Sequence, residues 1–152
     1  MLKKLLPVLK ALLEDPGVLK VGQNLKYDML VLARHGISIA PFDDTMLLSY
    51  ALAGGMPGGH GMDELSQRHL GHTPVQFGEV AGQGKSFIGF AAVGLPQATR
   101  YAAEDADVTL RLYRHFAPLL PVERVTTVYE TTERPIVPVL AEMEMAGIRI
   151  DS

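Results

Sequence analysis

Two stretches of this chain hold residue types at spacings that could do chemistry. In Arg100-Tyr101-Ala102-Ala103-Glu104-Asp105-Ala106-Asp107-Val108-Thr109, a phenol and a carboxylate stand one helical turn apart. On a helix that spacing puts both groups on one face. Asp107 has a structural use, because Arg111 follows it at the favourable acid-before-base interval. Asp105 has only Thr109 at that interval. Two readings of Asp105 stand: it borders a wide polar face, or it is a desolvated carboxylate whose cost a bound cation offsets. Tyr101 is likewise either a core-edge aromatic with a wet hydroxyl or a phenol that orients a water beside Asp105.

The second stretch is Val21-Gly22-Gln23-Asn24-Leu25-Lys26-Tyr27-Asp28, a strand running into a helix start with Asn24 and Asp28 one turn apart. The ordinary reading is an N-cap followed by an acid that the helix dipole favours. The chemical reading uses the same geometry. Carboxylates from two helices beside one sheet edge can share divalent ions, and hard oxygen donors select magnesium or manganese over zinc.

Other candidates are weaker. His69 and His72 are three apart, but Gly71 breaks any helix between them and no third ligand is near, which argues against zinc. Gly82-Gln83-Gly84-Lys85-Ser86 fails as a phosphate loop, because the glycine required five residues before Gly84 is Glu79. Phe77 is either a plug packed into the core or an exposed platform for stacking a base.

These residues need elements to hold them. Leu2, Leu5, Leu6, Leu9, Leu12 and Leu13 recur at helical spacing opposite Lys3, Lys4, Lys10 and Glu14, predicting an amphipathic helix that Pro16-Gly17 ends. A short strand over Val18 to Val21 follows, then a helix capped by Asn24 that runs to His35 and closes at Gly36. Ile37 to Phe42 reads as extended, and Asp44 or Thr45 caps a helix through Ala53. Gly54 to Gly61 is a loop, Met62 to Leu70 a small helix stopped by Gly71, and Gly71 to Leu95 a long loop. Pro96 opens a helix through Phe116, and a last helical segment from Val122 to Ala146 is kinked by Pro135 and Pro138. The sum is an α-rich α/β pattern with too few strands for a whole sheet, so neighbouring strands are expected outside this sequence.

Composition narrows the function classes. The 152 residues allow one domain, or one domain and the beginning of the next. With 47% hydrophobic and 20% charged residues, the chain can build a core. Fourteen basic against seventeen acidic residues give a net charge of −3, which excludes a domain gripping duplex DNA through a broad basic surface. Zero cysteines rule out disulfides and thiolate metal sites and fit a reducing compartment, so a cytoplasmic location is expected. The longest apolar run, Met46 to Ala53, is too short to span a bilayer, so no membrane association is expected. Lys10 and Glu14-Asp15 spoil the signal-peptide likeness of the N-terminus.

The two chemical stretches, in this order, resemble the second and third exonuclease motifs of the bacterial DNA polymerase I family, the third being of the Tyr-x-x-x-Asp type. Phe42-Asp43-Asp44-Thr45-Met46-Leu47 and Met62-Asp63-Glu64-Leu65 resemble intervening family segments. Val137-Pro138-Val139-Leu140-Ala141-Glu142-Met143-Glu144 with Gly147-Ile148-Arg149-Ile150-Asp151 is similar to the entrance of the polymerase domain. The resemblance implies a ribonuclease-H-like α/β fold and 3′-5′ proofreading hydrolysis of a single-stranded DNA 3′ end. In that family, four carboxylates hold two magnesium or manganese ions over the terminal phosphodiester, one activating water and both stabilising charge on the reacting oxygens.

Carried over by residue, Asp105 would hold the metal that activates water, Tyr101 would hold that water, and Asp28 would serve the second metal. Asn24 and Tyr27 would line the single-strand cleft, and Phe77 would contact an unpaired base. The family's first motif, Asp-x-Glu, occurs nowhere in this sequence. The expectation is therefore a fold truncated at its N-terminus, with residues 1–120 a partial exonuclease domain and 121–152 a helical start of the polymerase domain. The parent would be a monomeric polymerase, and the isolated chain would be inactive. The competing expectation is a degenerate nuclease fold that serves the polymerase only as a scaffold.

Overall fold

The structure, a computed structural model, describes residues 2–149. Ile150 and Asp151, part of the C-terminal likeness, lie outside the described residues. The chain opens with α1 (Leu2–Leu13), whose apolar stripe is only half-buried: Leu6, Leu9 and Leu13 turn inward while Leu5, Val8 and Leu12 stay exposed. It is tied to the chain ahead of the second strand, where Ala40 N–H donates to the Leu13 carbonyl at 3.2 Å and Ser38 N–H to Glu14 Oε1 at 3.0 Å.

Strand β1 (Lys20–Gly22) and strand β2 (Phe42–Asp44) pair in parallel, with Lys20 opposite Phe42, Val21 opposite Asp43 and Gly22 opposite Asp44. The crossover between them carries α2 (Leu25–Ala33), which makes a β-α-β unit. β1 sits two residues later than the alternation suggested, and β2 occupies only the end of the expected extended stretch. Pairing decides both, because only three residues of each strand find a partner. α2 stops two residues before His35, in a turn that Gly36 closes at φ 67°.

Asp44 leads directly into α3 (Thr45–Ala53), accepting the Met46 N–H at 2.9 Å as its N-cap. α4 (Met62–Leu65) widens into a π-turn over Ser66–Leu70 before Gly71 ends it. The region from Gly71 to Leu95 is not the structureless loop expected. It contains α5 (Phe77–Ala81) and two single 3₁₀ turns, Gly84–Ser86 and Phe90–Ala92. Gly78 inside α5 and Gly82 just after it hid the helix: Gly82 takes φ 78°, and a Cβ there would stand 2.1 Å from the Ser86 carbonyl oxygen.

α6 (Leu95–Phe116) has Pro96 in its first turn and buries Val108, Leu112 and Phe116, which recur at helical spacing. Beyond it come α7 (Leu119–Val122) and α8 (Thr126–Val128), then a π-turn over Tyr129–Glu133 leading into α9 (Arg134–Ala146). The expected single helix from Val122 is thus interrupted at Arg124, which adopts φ 60°. Pro135 does fall at a helical irregularity: lacking an N–H, it cannot close a bond back to Thr131, and the widened turn precedes it.

Two apolar clusters fix these elements. Leu48, Leu65, Val108, Leu112, Phe116, Leu120 and Tyr129 form the larger, and Leu25, Met29, Ile39 and Val137 the smaller. The smaller one clamps α2 between β2 and α9.

Candidate functional site

α2 starts abruptly from β1, and the local chemistry explains how. A Cβ on Gly22 would stand 2.3 Å from the Leu25 side chain, so glycine lets the helix begin directly against the strand. Asn24 occupies the capping position in a left-handed conformation, φ 57° and ψ 45°, but its side chain makes no capping bond. This corrects the local reading. The cap comes instead from Asp44 across the sheet, whose Oδ1 accepts Asn24 N–H at 3.0 Å and whose Oδ2 accepts Leu25 N–H at 2.8 Å. One carboxylate, 2% exposed, therefore caps both α2 and α3. Burial pushes its pKa up while the four N–H groups of Leu25, Asn24, Met46 and Leu47 pull against that rise.

One turn into α2, Asp28 faces a cleft of about 380 Å³, and Asp105 of α6 lines the same cleft. Val21, Gly22 and Gln23 form its strand side, and Met62 and Thr109 its other walls. Neither acid has an ion pair among the described residues. Asp28 is exposed as a residue, yet burial of its carboxylate raises its pKa, with the nearby Asp44 charge adding to the rise. Burial also raises Asp105, the charges of Asp63 and Glu104 acting in the same direction and the Tyr101 hydroxyl opposing them. Tyr101, one turn before Asp105, is pushed up to about 12 by burial first and by the Asp105 carboxylate second. It is a neutral phenol at any physiological pH.

A family model described as 3′-5′ exonuclease, from the family-A DNA polymerases, matches residues 1–121. The chain belongs to this exonuclease family. Among its relatives, DNA polymerase I of Rhizobium leguminosarum is 58% identical over 146 residues, 96% of this chain and 14% of that protein. DNA polymerase I of Pseudomonas aeruginosa is 44% identical over 151 residues, 97% of this chain and 16% of that protein. The thermostable DNA polymerase I of Thermus filiformis is 30% identical over 128 residues, 84% of this chain and 12% of that protein. The chain thus spans roughly one-seventh of the length of such relatives. No helix among the described residues is long and apolar enough to cross a membrane.

Within this exonuclease fold, the remaining residues singled out from sequence divide into two groups. Phe77 packs its ring edge-on against Tyr101 at 6.0 Å, stacks it on Phe90 at 6.1 Å and stays 44% exposed, but neither Phe77 nor Tyr101 lines the cleft that Asp28 and Asp105 share. Phe87 completes this aromatic group. It stands beside a second, wider groove of about 750 Å³ between α5 and α6, lined by Glu79, Arg100, Tyr101 and Glu104. Asn24, just ahead of α2, and Tyr27 on it are exposed and line neither cavity. His72 Nε2–H donates to Glu104 Oε1 at 2.9 Å, and His69 packs on His115 and Phe116. Asp107 pairs with Arg111 at 3.6 Å, as its spacing predicts.

Sequence reasoning missed three contributors. Asp63 on α4 brings its charge to bear on both Asp105 and Tyr101, a proximity that only the packing of α4 on α6 creates. Phe90 was hidden in the glycine-rich stretch. The double role of Asp44 was half-visible, since its position ahead of α3 marks one cap and nothing local marks the other.

Two carboxylates, no imidazole and no thiolate line the cleft between α2 and α6, which fits a hard divalent ion rather than zinc. Among the described residues, no three His, Asp or Glu side chains come together as a metal cluster. Asp28 and Asp105 by themselves thus supply only part of a coordination shell.

Proposed function

We propose that this chain forms part of a 3′-5′ exonuclease site within a DNA polymerase I, acting on the 3′ end of single-stranded DNA. The observation that carries this reading is that Asp28 and Asp105 line one cleft between α2 and α6, each pushed up in pKa by burial and neither in an ion pair among the described residues. Partly buried negative charge without a counter-ion is unfavourable, and a shared cation would offset the cost. Asp28 and Asp105 would hold magnesium or manganese, which when bound would supply charge stabilisation to the phosphodiester oxygens.

The chain's own groups do the rest. Tyr101 keeps its proton at working pH and so acts as a hydrogen-bond donor that orients the attacking water beside Asp105, not as a base. Phe77 offers an exposed ring face, next to that phenol, on which a terminal base stacks. Asn24 and Tyr27 bind the strand further along the exposed surface of α2. With a net charge of −3, recognition rests on stacking and the cation rather than on a basic groove. The segment after residue 121 leads toward the polymerase domain, and a two-ion site needs carboxylates beyond Asp28 and Asp105.

The test is a metal-dependent exonuclease assay on single-stranded DNA. In the parent polymerase, Asp28→Ala and Asp105→Ala each lower the rate by more than about 100-fold, beyond the effect usual for groups that merely support ligands. The 152-residue chain alone shows no activity above background. Full activity in both variants overturns the nuclease site, and strong activity in the isolated chain overturns the incomplete ligand set.

A further inference from the structure

The C-terminal helices do more than continue the chain. Tyr129, 1% exposed, lies in the main core with its hydroxyl against the end of β2. That hydroxyl donates to Asp43 Oδ1 at 2.9 Å and accepts the Asp44 N–H at 3.2 Å. Arg134, the first residue of α9, donates to the same Asp43 oxygen at 3.0 Å, and its guanidinium lies 5.6 Å from the Tyr129 ring centre. A continuous set of bonds therefore runs from α9 through Tyr129 to the backbone of Asp44. From the Asp44 carboxylate it continues to the first N–H groups of α2, one turn ahead of Asp28. Val137 of α9 also packs on Leu25 and Met29 of α2, and Lys26 of α2 pairs with Glu144 of α9.

We propose that Asp44 and Tyr129 are positioning residues of the exonuclease site, through which the C-terminal helical segment sets the placement of Asp28 against Asp105. This rests on the reading of Asp28 as a metal ligand. α2 is short, and its own capping residue makes no side-chain bond, so its start is defined by what Asp44 holds. A carboxylate displaced by a fraction of an ångström binds an ion less well, and partners that orient ligands typically change affinity or activity by about 10–100-fold.

The experiment measures kcat, KM for single-stranded DNA and the half-saturating Mg²⁺ concentration in the full-length parent polymerase. Asp44→Asn replaces an acceptor of the α2 amides with a group that also carries N–H, and Tyr129→Phe keeps the buried ring while removing two hydrogen bonds. Both should lower kcat, Asp44→Asn by about 10-fold or more, and both should raise the Mg²⁺ requirement while KM stays within about twofold. Leu120→Ala on α7, a change in the same core cluster that removes none of these hydrogen bonds and touches no helix carrying a site acid, serves as the control: it should lower the melting temperature without moving the Mg²⁺ requirement.

If Asp44→Asn and Tyr129→Phe only lower the melting temperature and leave the Mg²⁺ requirement at the parent value, they are merely structural and the positioning role is wrong. Should Asp44→Asn not fold, Tyr129→Phe alone decides by the same readout. Asp28→Ala separates the two ideas. Full activity there removes the metal-ligand reading and the positioning role with it. Loss of activity there, with Asp44→Asn and Tyr129→Phe unchanged, removes the positioning role alone.

Discussion

The two walls of the cleft are built in different ways. α6 is a 22-residue amphipathic helix with a proline in its first turn and a buried stripe of Val108, Leu112 and Phe116, so Asp105 rides on a self-consistent element. α2 has nine residues, little amphipathicity and no cap of its own, and Asp28 rides on an element that other parts of the chain must hold. An isolated helix of that length is marginal in water. The site thus joins a wall set by local sequence to a wall set by distant contacts, and perturbations should separate them.

The largest stability effect should come from the α6 wall. Leu112→Ala removes a side chain with 0% exposure from the main cluster and should cost about 2–5 kcal/mol, read by denaturant titration. A cost below about 1 kcal/mol would show that α6 is not the stable frame described above.

A smaller effect should come from the α2 wall. Asn24 adopts φ 57° without using its side chain as a cap, so Asn24→Ala should cost on the order of 1 kcal/mol through left-handed strain alone. Asn24→Gly should match or slightly exceed the parent protein. Equal losses in both variants would restore a capping role to the asparagine.

The smallest effect concerns charge. Asp28 and Asp105 have raised pKa values in the folded chain, so the folded state holds their protons more tightly than the unfolded state does. Their contribution to stability is favourable at low pH and is lost as pH rises from the unfolded value of 3.8 through the raised folded values. In the presence of a chelator, Asp28→Asn and Asp105→Asn should each melt at a slightly higher temperature than the parent at pH 7. The difference should vanish toward pH 3. A variant that melts lower at pH 7 would show that its carboxylate is satisfied within the protein.

The same contrast explains what could be read from the sequence. Tyr101, Asp105 and the buried stripe beyond them follow from helical period, because one long helix fixes their mutual positions. Asp28 was legible as a helix-start acid, but the partner that caps its helix is twenty residues away in sequence, and only the parallel register of β1 and β2 brings Asp44 there. Phe77 was legible as a residue and not as an environment. Its packing against Tyr101 depends on α5, which Gly78 within it and Gly82 after it disguised as loop. Asp63, like Asp44, acts across the fold, and no spacing rule reaches it.

The π-turn over Tyr129–Glu133 gives the C-terminal helix one more residue in its winding than a regular α-helix would hold over the same rise. Tyr129 and Arg134, on either side of this insertion, both reach Asp43. A regular α-helix holds one residue fewer over the same rise, so losing a single residue between them would relax the widened turn to the ordinary pitch and leave everything downstream on nearly the same face. The arginine, the apolar contact of Val137 and the lysine–glutamate pairing with α2 would then keep their targets, whereas losing a second residue would swing them by roughly 100° about the helix axis. These five positions therefore hold one residue of slack and no more.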